Sequence, residues 1–137
     1  MVSRFSEIVV DCEQPRRLAE FWCAVLGYRV LDEEEGAIEI GPPDVSTEDD
    51  WAGWTARLLR EPSPPTIVFI VVPEGKTVKN RLHIDVSPID TSQPEEVERL
   101  LALGATRADI GQGDDVSWTV LRDPEGNEFC VLRSLAP

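Results

Sequence analysis

The sequence has few basic residues and few cysteines. Lysine and arginine number 13 against 26 aspartates and glutamates, so the formal net charge is −13. Such a surface repels phosphate backbones and anionic membranes, and we expect neither nucleic-acid nor membrane partners. Cys12, Cys23 and Cys130 are too few and too scattered for a disulfide framework or a Cys-x-x-Cys metal site. An odd number of free thiols suits a reducing compartment, so we expect a cytoplasmic location.

Long apolar runs are also missing. No run approaches the roughly 20 residues that span a bilayer, and the first six residues lack the apolar segment of a secretory signal. Hydrophobic residues make up 42% and charged residues 28% of the chain, which is ordinary for a globular protein. With 137 residues, the chain is long enough to bury a core without disulfides, and we expect a single domain over 1–137.

The first half of the sequence begins with a strand and a helix. Residues 5–11 predict the strand, and Pro15 begins an amphipathic helix that Gly27 ends. Three further strands are predicted, at 28–31, 37–40 and 66–72. The last of these is apolar on both faces, which predicts burial on both. The acidic run at 32–35 is interpreted as a solvated turn, and a weaker spacing of Trp51, Trp54 and Leu58 favours a short helix within 51–60.

The second half repeats this order. A strand is predicted at 81–86, and a helix begins near Pro94 and ends at Gly104. The later strands are predicted at 105–108, 116–121 and 128–132, with a hairpin turn at 123–127. The repeat predicts an α+β fold of two βαβββ modules, at about 1–73 and 81–137. Their strands would form a curved mixed sheet with the helices on the outer face.

Side-chain alternation assigns the faces of the first strand in each half. Leu82, Ile84 and Val86 alternate with Arg81, His83 and Asp85, as Ile8 and Val10 alternate with Glu7. The apolar side chains are expected to face the helices. The opposite, concave face of the sheet would then hold Glu7, His83 and Asp85.

Three stretches of the sequence carry a family resemblance. They are QPRRLAEFWCAVLG at 14–27, VPEGKTVKNRLHIDV at 72–86 and WTVLRDPEGNEFCVL at 118–132. Together they resemble the vicinal-oxygen-chelate superfamily of glyoxalases, bleomycin-resistance proteins and dihydroxybiphenyl dioxygenases, and its glyoxalase-like subgroup in particular. One fold of this kind hosts many functions, so the resemblance indicates a fold more strongly than a reaction.

The resemblance also implies four metal ligands on inward-facing strand positions. They fall on Glu7, on His83, on Cys130 where the family usually has glutamate, and near Ile70, which has no donor atom. Glu7, His83 and Cys130 are therefore the candidate metal ligands, for zinc, manganese, iron or magnesium. Because two of the four positions depart from the pattern, we expect either no metal or a degenerate metal site.

Several residues have both a functional and a structural interpretation. His83, the only histidine, is a ligand or general base, or an imidazole bonded to a strand neighbour. Glu7 is its candidate catalytic partner, or a carboxylate paired with Arg81 or His83. Cys130 is a ligand or a buried small hydrophobe. Arg81 belongs to a basic cluster, with Lys76, Lys79 and Asn80, that contacts an anion or merely links the halves. The remaining candidate ligand-binding residues are Asp85 and Trp118.

Two functions follow from the resemblance. One is a metal-free protein that binds a small molecule in a concave pocket. The other is a metal-dependent lyase, isomerase or dioxygenase, in which the ion polarises paired oxygens of a small polar substrate. The number of protein ligands distinguishes them, and the missing donors at Ile70 and Cys130 favour the binding protein. The sequence leaves homodimerisation open.

Overall fold

The computed structural model describes residues 3, 5–45, 53, 59, 64–113 and 115–135. The chain divides into two compact units, Met1–Glu74 and Gly75–Pro137. The fold is α+β, with one four-stranded mixed sheet in each unit, as two βαβββ modules require. The helix predicted within 51–60 lies outside the described residues, apart from Gly53 and Leu59. No helix in the described ranges is long and apolar enough to cross a membrane.

The first unit contains one helix between its first two strands. The elements are β1 (Glu7–Cys12), α1 (Pro15–Leu26), β2 (Arg29–Glu34), β3 (Ala37–Gly41) and β4 (Thr66–Val71). The strand order is β1-β4-β3-β2, with β1 parallel to β4 and the other pairs antiparallel.

Helix α1 begins and ends where the sequence predicts. Pro15 stands in its first turn, where the missing N–H costs no hydrogen bond. Gly27 follows in the left-handed conformation, with φ of 67°, and its N–H bonds to the carbonyl of Cys23. The buried face of α1 carries Leu18, Phe21 and Trp22, and the helix packs on β3 and β4. The amphipathic spacing thus places α1 on one face of the sheet.

Two predictions for this unit are wrong in part. Asp32 to Glu34 belong to β2 rather than to a turn. An edge strand tolerates these carboxylates, because its side chains reach water. Strand β4 is buried at Ile67 and Phe69, but Ile70 is 36% exposed. Thr66, on the same face as Ile70, is fully buried, and Val71, on the same face as Phe69, is 49% exposed, so the exposure lies at the carboxyl end of the strand rather than on one face.

The second unit has the same order of elements. They are β5 (Asp85–Val86), α2 (Gln93–Ala102), β6 (Thr106–Arg107), β7 (Thr119–Arg122) and β8 (Glu128–Val131). The strand order is β5-β8-β7-β6, with β5 parallel to β8. Ser92 and Glu95 form a capping box at the start of α2. Hydrogen bonds from the Ser92 hydroxyl, the Thr91 hydroxyl and the Ser92 N–H lower the pKa of the Glu95 carboxyl to about 2.

The strand predicted at 81–86 is much shorter in the structure. Only Asp85 and Val86 are strand residues, and Leu82 is 88% exposed rather than packed against a helix. The register pairs Asp85 with Cys130, so residues 81–82 would lie opposite the turn that precedes β8. That turn offers no strand for pairing. The alternation therefore predicted the faces of residues 83–86 but overstated the length of the strand.

The turn between β7 and β8 is confirmed. The N–H of Asp123 bonds to the carbonyl of Asn127 at 2.9 Å, and the carboxylate of Asp123 accepts bonds from the N–H groups of Glu125 and Asn127. Gly126 takes a φ of 87°, which favours glycine. This turn sets the register in which β8 presents its side chains.

Candidate functional site

The two faces of the second sheet have different chemistry. Leu121, Phe129 and Val131 are fully buried, and α2 packs against β8. On the other face, Cys130 packs with Val120 and Ala108 in a small separate cluster. Cross-strand pairing places Asp85 beside Cys130, and Arg122 beside Glu128, on this second face. A row of polar side chains therefore crosses three neighbouring strands.

Two of these side chains, Asp85 and Cys130, form a cluster with His83, which we call the recognition group. One donor atom from each lies within 4.8 Å of the other two. The Nε2 atom of His83 is 3.3 Å from Oδ1 of Asp85, and both side chains are nearly half exposed. Cys130 is only 6% exposed. The group therefore combines a solvent-accessible imidazole–carboxylate pair with a thiol beneath it.

The thiol of Cys130 is protonated at neutral pH. Burial, and then the charge and hydrogen bond of Asp85, raise its pKa to about 11, although the charge of Lys79 lowers it slightly. A protonated thiol donates a hydrogen bond to the carboxylate and is a poor nucleophile. In its protonated form, Cys130 packs against Val120 and Ala108 and hydrogen-bonds to Asp85.

The recognition group also matches the donor set of a borderline metal ion. Imidazole nitrogen, carboxylate oxygen and thiolate sulfur are all zinc ligands, and three protein ligands with one open position are typical of catalytic zinc. Binding would require Cys130 to lose its proton, which makes metal affinity pH-dependent. A hard ion such as Mg²⁺ fits less well, because it prefers oxygen ligands.

The other predicted site residues are distributed over the two units of the chain. Glu7 is the exposed first residue of β1 in the first unit, opposite Thr66. Ile70 lies on β4 of that unit. Arg81 is exposed and precedes the recognition group in the chain. Trp118 lines a cavity of about 300 Å³ with Arg107 and Gln112, among others. The structure thus brings His83 and Cys130 together with Asp85, which was predicted as a ligand-binding residue but not as a metal ligand.

Sequence reasoning missed Glu128. Its side chain is 7% exposed, and its oxygens accept bonds from the Lys76 ammonium and the Asn80 N–H, each at 3.0 Å. Burial by itself raises the pKa of this carboxyl, but these bonds outweigh the effect and lower it to about 2. Glu128 therefore stays ionised and ties residues 76–80 to β8. The sequence did contain a signal for Glu128, since it stands two residues before Cys130 in the same predicted strand and therefore shares its face.

The comparisons with known proteins agree with this fold. The glyoxalase-like domain family matches residues 7–132. The chain belongs to this family. It shows the fold of the vicinal-oxygen-chelate superfamily. This is the fold that the three family-like sequence stretches predicted. A comparison with curated proteins finds no match.

Solved structures share the glyoxalase-like fold at low sequence identity. A glyoxalase/bleomycin resistance protein/dioxygenase family enzyme from Burkholderia phytofirmans is 18% identical, with a TM-score of 0.61 over 94% of this chain and 97% of that one. A mutant of the fosfomycin resistance protein FosX from Listeria monocytogenes, complexed with Mn(II) and 1S,2S-dihydroxypropylphosphonic acid, is 13% identical, with a TM-score of 0.63 over 98% and 92%. FosX from Mesorhizobium loti is 12% identical, with a TM-score of 0.62 over 98% and 96%. These likenesses describe the fold alone.

Proposed function

We propose that this chain is a glyoxalase-like protein that binds a small molecule through His83, Asp85 and Cys130 and does so without a resident metal ion. The observation that carries the proposal is the mutual arrangement of the three side chains, in which Nε2 of His83 lies 3.3 Å from Oδ1 of Asp85 and Asp85 is also hydrogen-bonded to the buried Cys130. Burial, and then the charge and hydrogen bond of Asp85, raise the pKa of the Cys130 thiol to about 11. Without a metal, the three side chains already satisfy part of one another's bonding capacity, as a preformed recognition site requires.

The recognition group offers a donor and an acceptor to a ligand. In its neutral form, with the proton on Nε2, His83 can donate to Asp85, which leaves Nδ1 as an acceptor for a ligand. The Asp85 carboxylate has a further lone pair for a ligand hydroxyl or amide. A small molecule with a hydroxyl next to another polar group matches this pair. Arg81 and Trp118, which belong to the same unit, are proposed further contributors to the ligand site, on the predictions made from the sequence.

A metal-dependent enzyme is the second candidate. It is favoured by the approach of three donor atoms to within 4.8 Å of one another. His83, Asp85 and Cys130 would hold the ion, and a bound zinc would supply Lewis-acid polarisation of a ligand oxygen. The Mn(II) in the FosX complex is a property of that protein. The missing donor at Ile70 makes this candidate the second choice.

Metal content distinguishes the two functions. We expect purified protein, dialysed against a mild chelator, to contain far less than one ion per chain by elemental mass spectrometry, and added zinc to bind weakly. About one retained ion per chain, lost in His83→Ala, would replace the binding proposal with the enzyme proposal.

Ligand binding tests the recognition group itself. In a thermal-shift screen of small molecules with adjacent hydroxyl and carbonyl groups, compounds that raise the Tm of the wild type are expected to have no effect on His83→Ala or Asp85→Asn. Asp90→Asn is the matched control, because Asp90 is also exposed in the second unit but lies outside the group. Equal responses from all variants would exclude the recognition group as the binding site.

A further inference from the structure

A second feature of the same sheet face is a cavity of about 460 Å³ with an excess of cationic side chains. Three cations and two carboxylates line it: Lys76, Lys79, Arg122, Asp109 and Glu128. This is a local excess of positive charge in a protein whose net charge is −13. The volume lies within the usual range for small-molecule sites.

The two carboxylates are occupied by other groups. Glu128 accepts bonds from the Lys76 ammonium and the Asn80 N–H. Asp109 accepts a bond from the N–H of Gly111 at 2.8 Å. Glu128 therefore largely neutralises the charge of Lys76. In turn, the Lys76 ammonium reduces the repulsion that the Glu128 carboxylate would exert on a bound anion.

Two cations are left with bonding capacity. Lys79 bonds to the carbonyl of Asn80 at 3.2 Å, and within the described part of the chain it has no carboxylate at ion-pair distance. The Nε atom of Arg122 is 4.0 Å from Glu128, at the limit of an ion pair, and that carboxylate already has shorter bonds. An ammonium and a guanidinium that line one cavity are the side chains that bind carboxylate or phosphoryl groups.

The cavity adjoins the recognition group. Glu128 lines the cavity and stands two residues before Cys130 on β8, so the two side chains share a face. The charge of Lys79 also reaches the Cys130 thiol. Val78 and Ile110 supply apolar wall to the same cavity. A ligand with an anionic head in the cavity and a polar tail would extend toward His83.

We propose that this cavity binds the anionic head group, a carboxylate, phosphate or phosphonate, of a small organic molecule, through Lys79 and Arg122. The inference rests on the proposed function, because it names the class of molecule that the recognition group receives. Organic anions gain contact with Val78 and Ile110, which inorganic phosphate lacks. We therefore expect an organic anion to bind more tightly than phosphate.

Isothermal titration of the full chain with methylphosphonate, acetate, inorganic phosphate and neutral acetamide tests the proposal. Methylphosphonate and acetate are expected to bind, phosphate more weakly, and acetamide not at all. Lys79→Gln and Arg122→Gln should each weaken methylphosphonate binding by about tenfold, since each removes one charge-assisted contact. Arg133→Gln is the matched control, because it removes one exposed cation of the same unit that lies outside the cavity.

Each outcome bears on the proposal separately from the proposed function. Absence of binding to wild type, or equal weakening in Arg133→Gln, would overturn the anion site. Tighter binding of phosphate than of methylphosphonate would overturn the organic ligand class. If neutral compounds bound in a His83-dependent manner while anions did not, the proposed function would stand and this inference would fail. If methylphosphonate bound through Lys79 and Arg122 while no compound in the thermal-shift screen bound in a His83-dependent manner, the anion site would stand and the proposed function would fail.

Discussion

At the scale of single residues, the chemistry of the site depends on the protonation of Cys130. The family resemblance places a cysteine where a glutamate is usual, and sequence alone leaves open whether that cysteine is a ligand or a packing residue. The structure shows what surrounds the cysteine, because Asp85 on β5 is paired with Cys130 on the parallel strand β8. A carboxylate beside a buried thiol stabilises the protonated form. The same cysteine beside a cation would have the opposite chemistry.

The link between Asp85 and Cys130 gives a prediction about reactivity. Asp85→Asn removes a negative charge and an ionised acceptor, so the pKa of the Cys130 thiol should fall, although burial continues to raise it. Alkylation of Cys130 by iodoacetamide at mildly alkaline pH should then become faster by about tenfold, because the thiolate is the reacting species. Peptide mass spectrometry reads out the rate at this residue. An unchanged rate, or an equal increase in Asp90→Asn, would show that the carboxylate does not control the thiol.

At the scale of elements, helices α1 and α2 were predicted best and β5 worst. Helix ends depend on neighbours in the chain, so Pro15 and Gly27 suffice to place α1, and Pro94 marks the start of α2. A strand also needs a neighbouring strand to pair with. Residues 81–82 continue the alternation of polar and apolar side chains, but they have no strand opposite them, so β5 is shorter than predicted. The recognition group was partly predictable, since His83 and Cys130 stand in the family-like stretches and Asp85 shares a face with His83. The pair of Lys76 and Glu128 joins residues 52 positions apart, which no local pattern indicates.

That distant pair predicts a pH-dependent contribution to stability. Burial alone would raise the pKa of the Glu128 carboxyl, but the Asn80 and Lys76 bonds lower it from 4.5 to about 2, so the ionised form stabilises the fold. Its contribution is complete above the unfolded pKa and is lost as the pH falls from about 5 toward 2. Glu128→Gln should lower the free energy of unfolding near neutral pH by about 1–3 kcal/mol.

Urea unfolding as a function of pH measures this effect. The difference between wild type and Glu128→Gln is expected to shrink as the pH is lowered, because the wild-type carboxyl becomes protonated as well. Glu34→Gln is the control, since Glu34 is exposed on the edge strand β2 and should change stability little. A constant difference at every pH would mean that Glu128 acts through packing rather than through its charge.

At the scale of the whole molecule, the acidic surface and the cationic cavity are two parts of one charge distribution. The net charge of −13 repels anions at long range, while Lys79 and Arg122 attract them at short range. Salt screens exposed charges over a Debye length of about 10 Å at 0.1 M, so it weakens both effects. An anionic ligand of this protein must therefore make specific contacts in the cavity, since the overall field does not steer it there.

The same acidity predicts that salt stabilises the fold. An excess of 13 negative charges on 137 residues disfavours the compact state through self-repulsion, and ionic screening relieves it. The ion pair of Arg107 with Glu98 is largely exposed and contributes little, so its screening should not cancel the gain. Raising sodium chloride from low to physiological concentration should increase the Tm by a few degrees, on the order of 1 kcal/mol of stability. Calorimetry measures the shift, with an equal osmolarity of glycerol as control, and a Tm that fell with salt would mean that attractive pairs, and not repulsion, dominate the electrostatics of this chain.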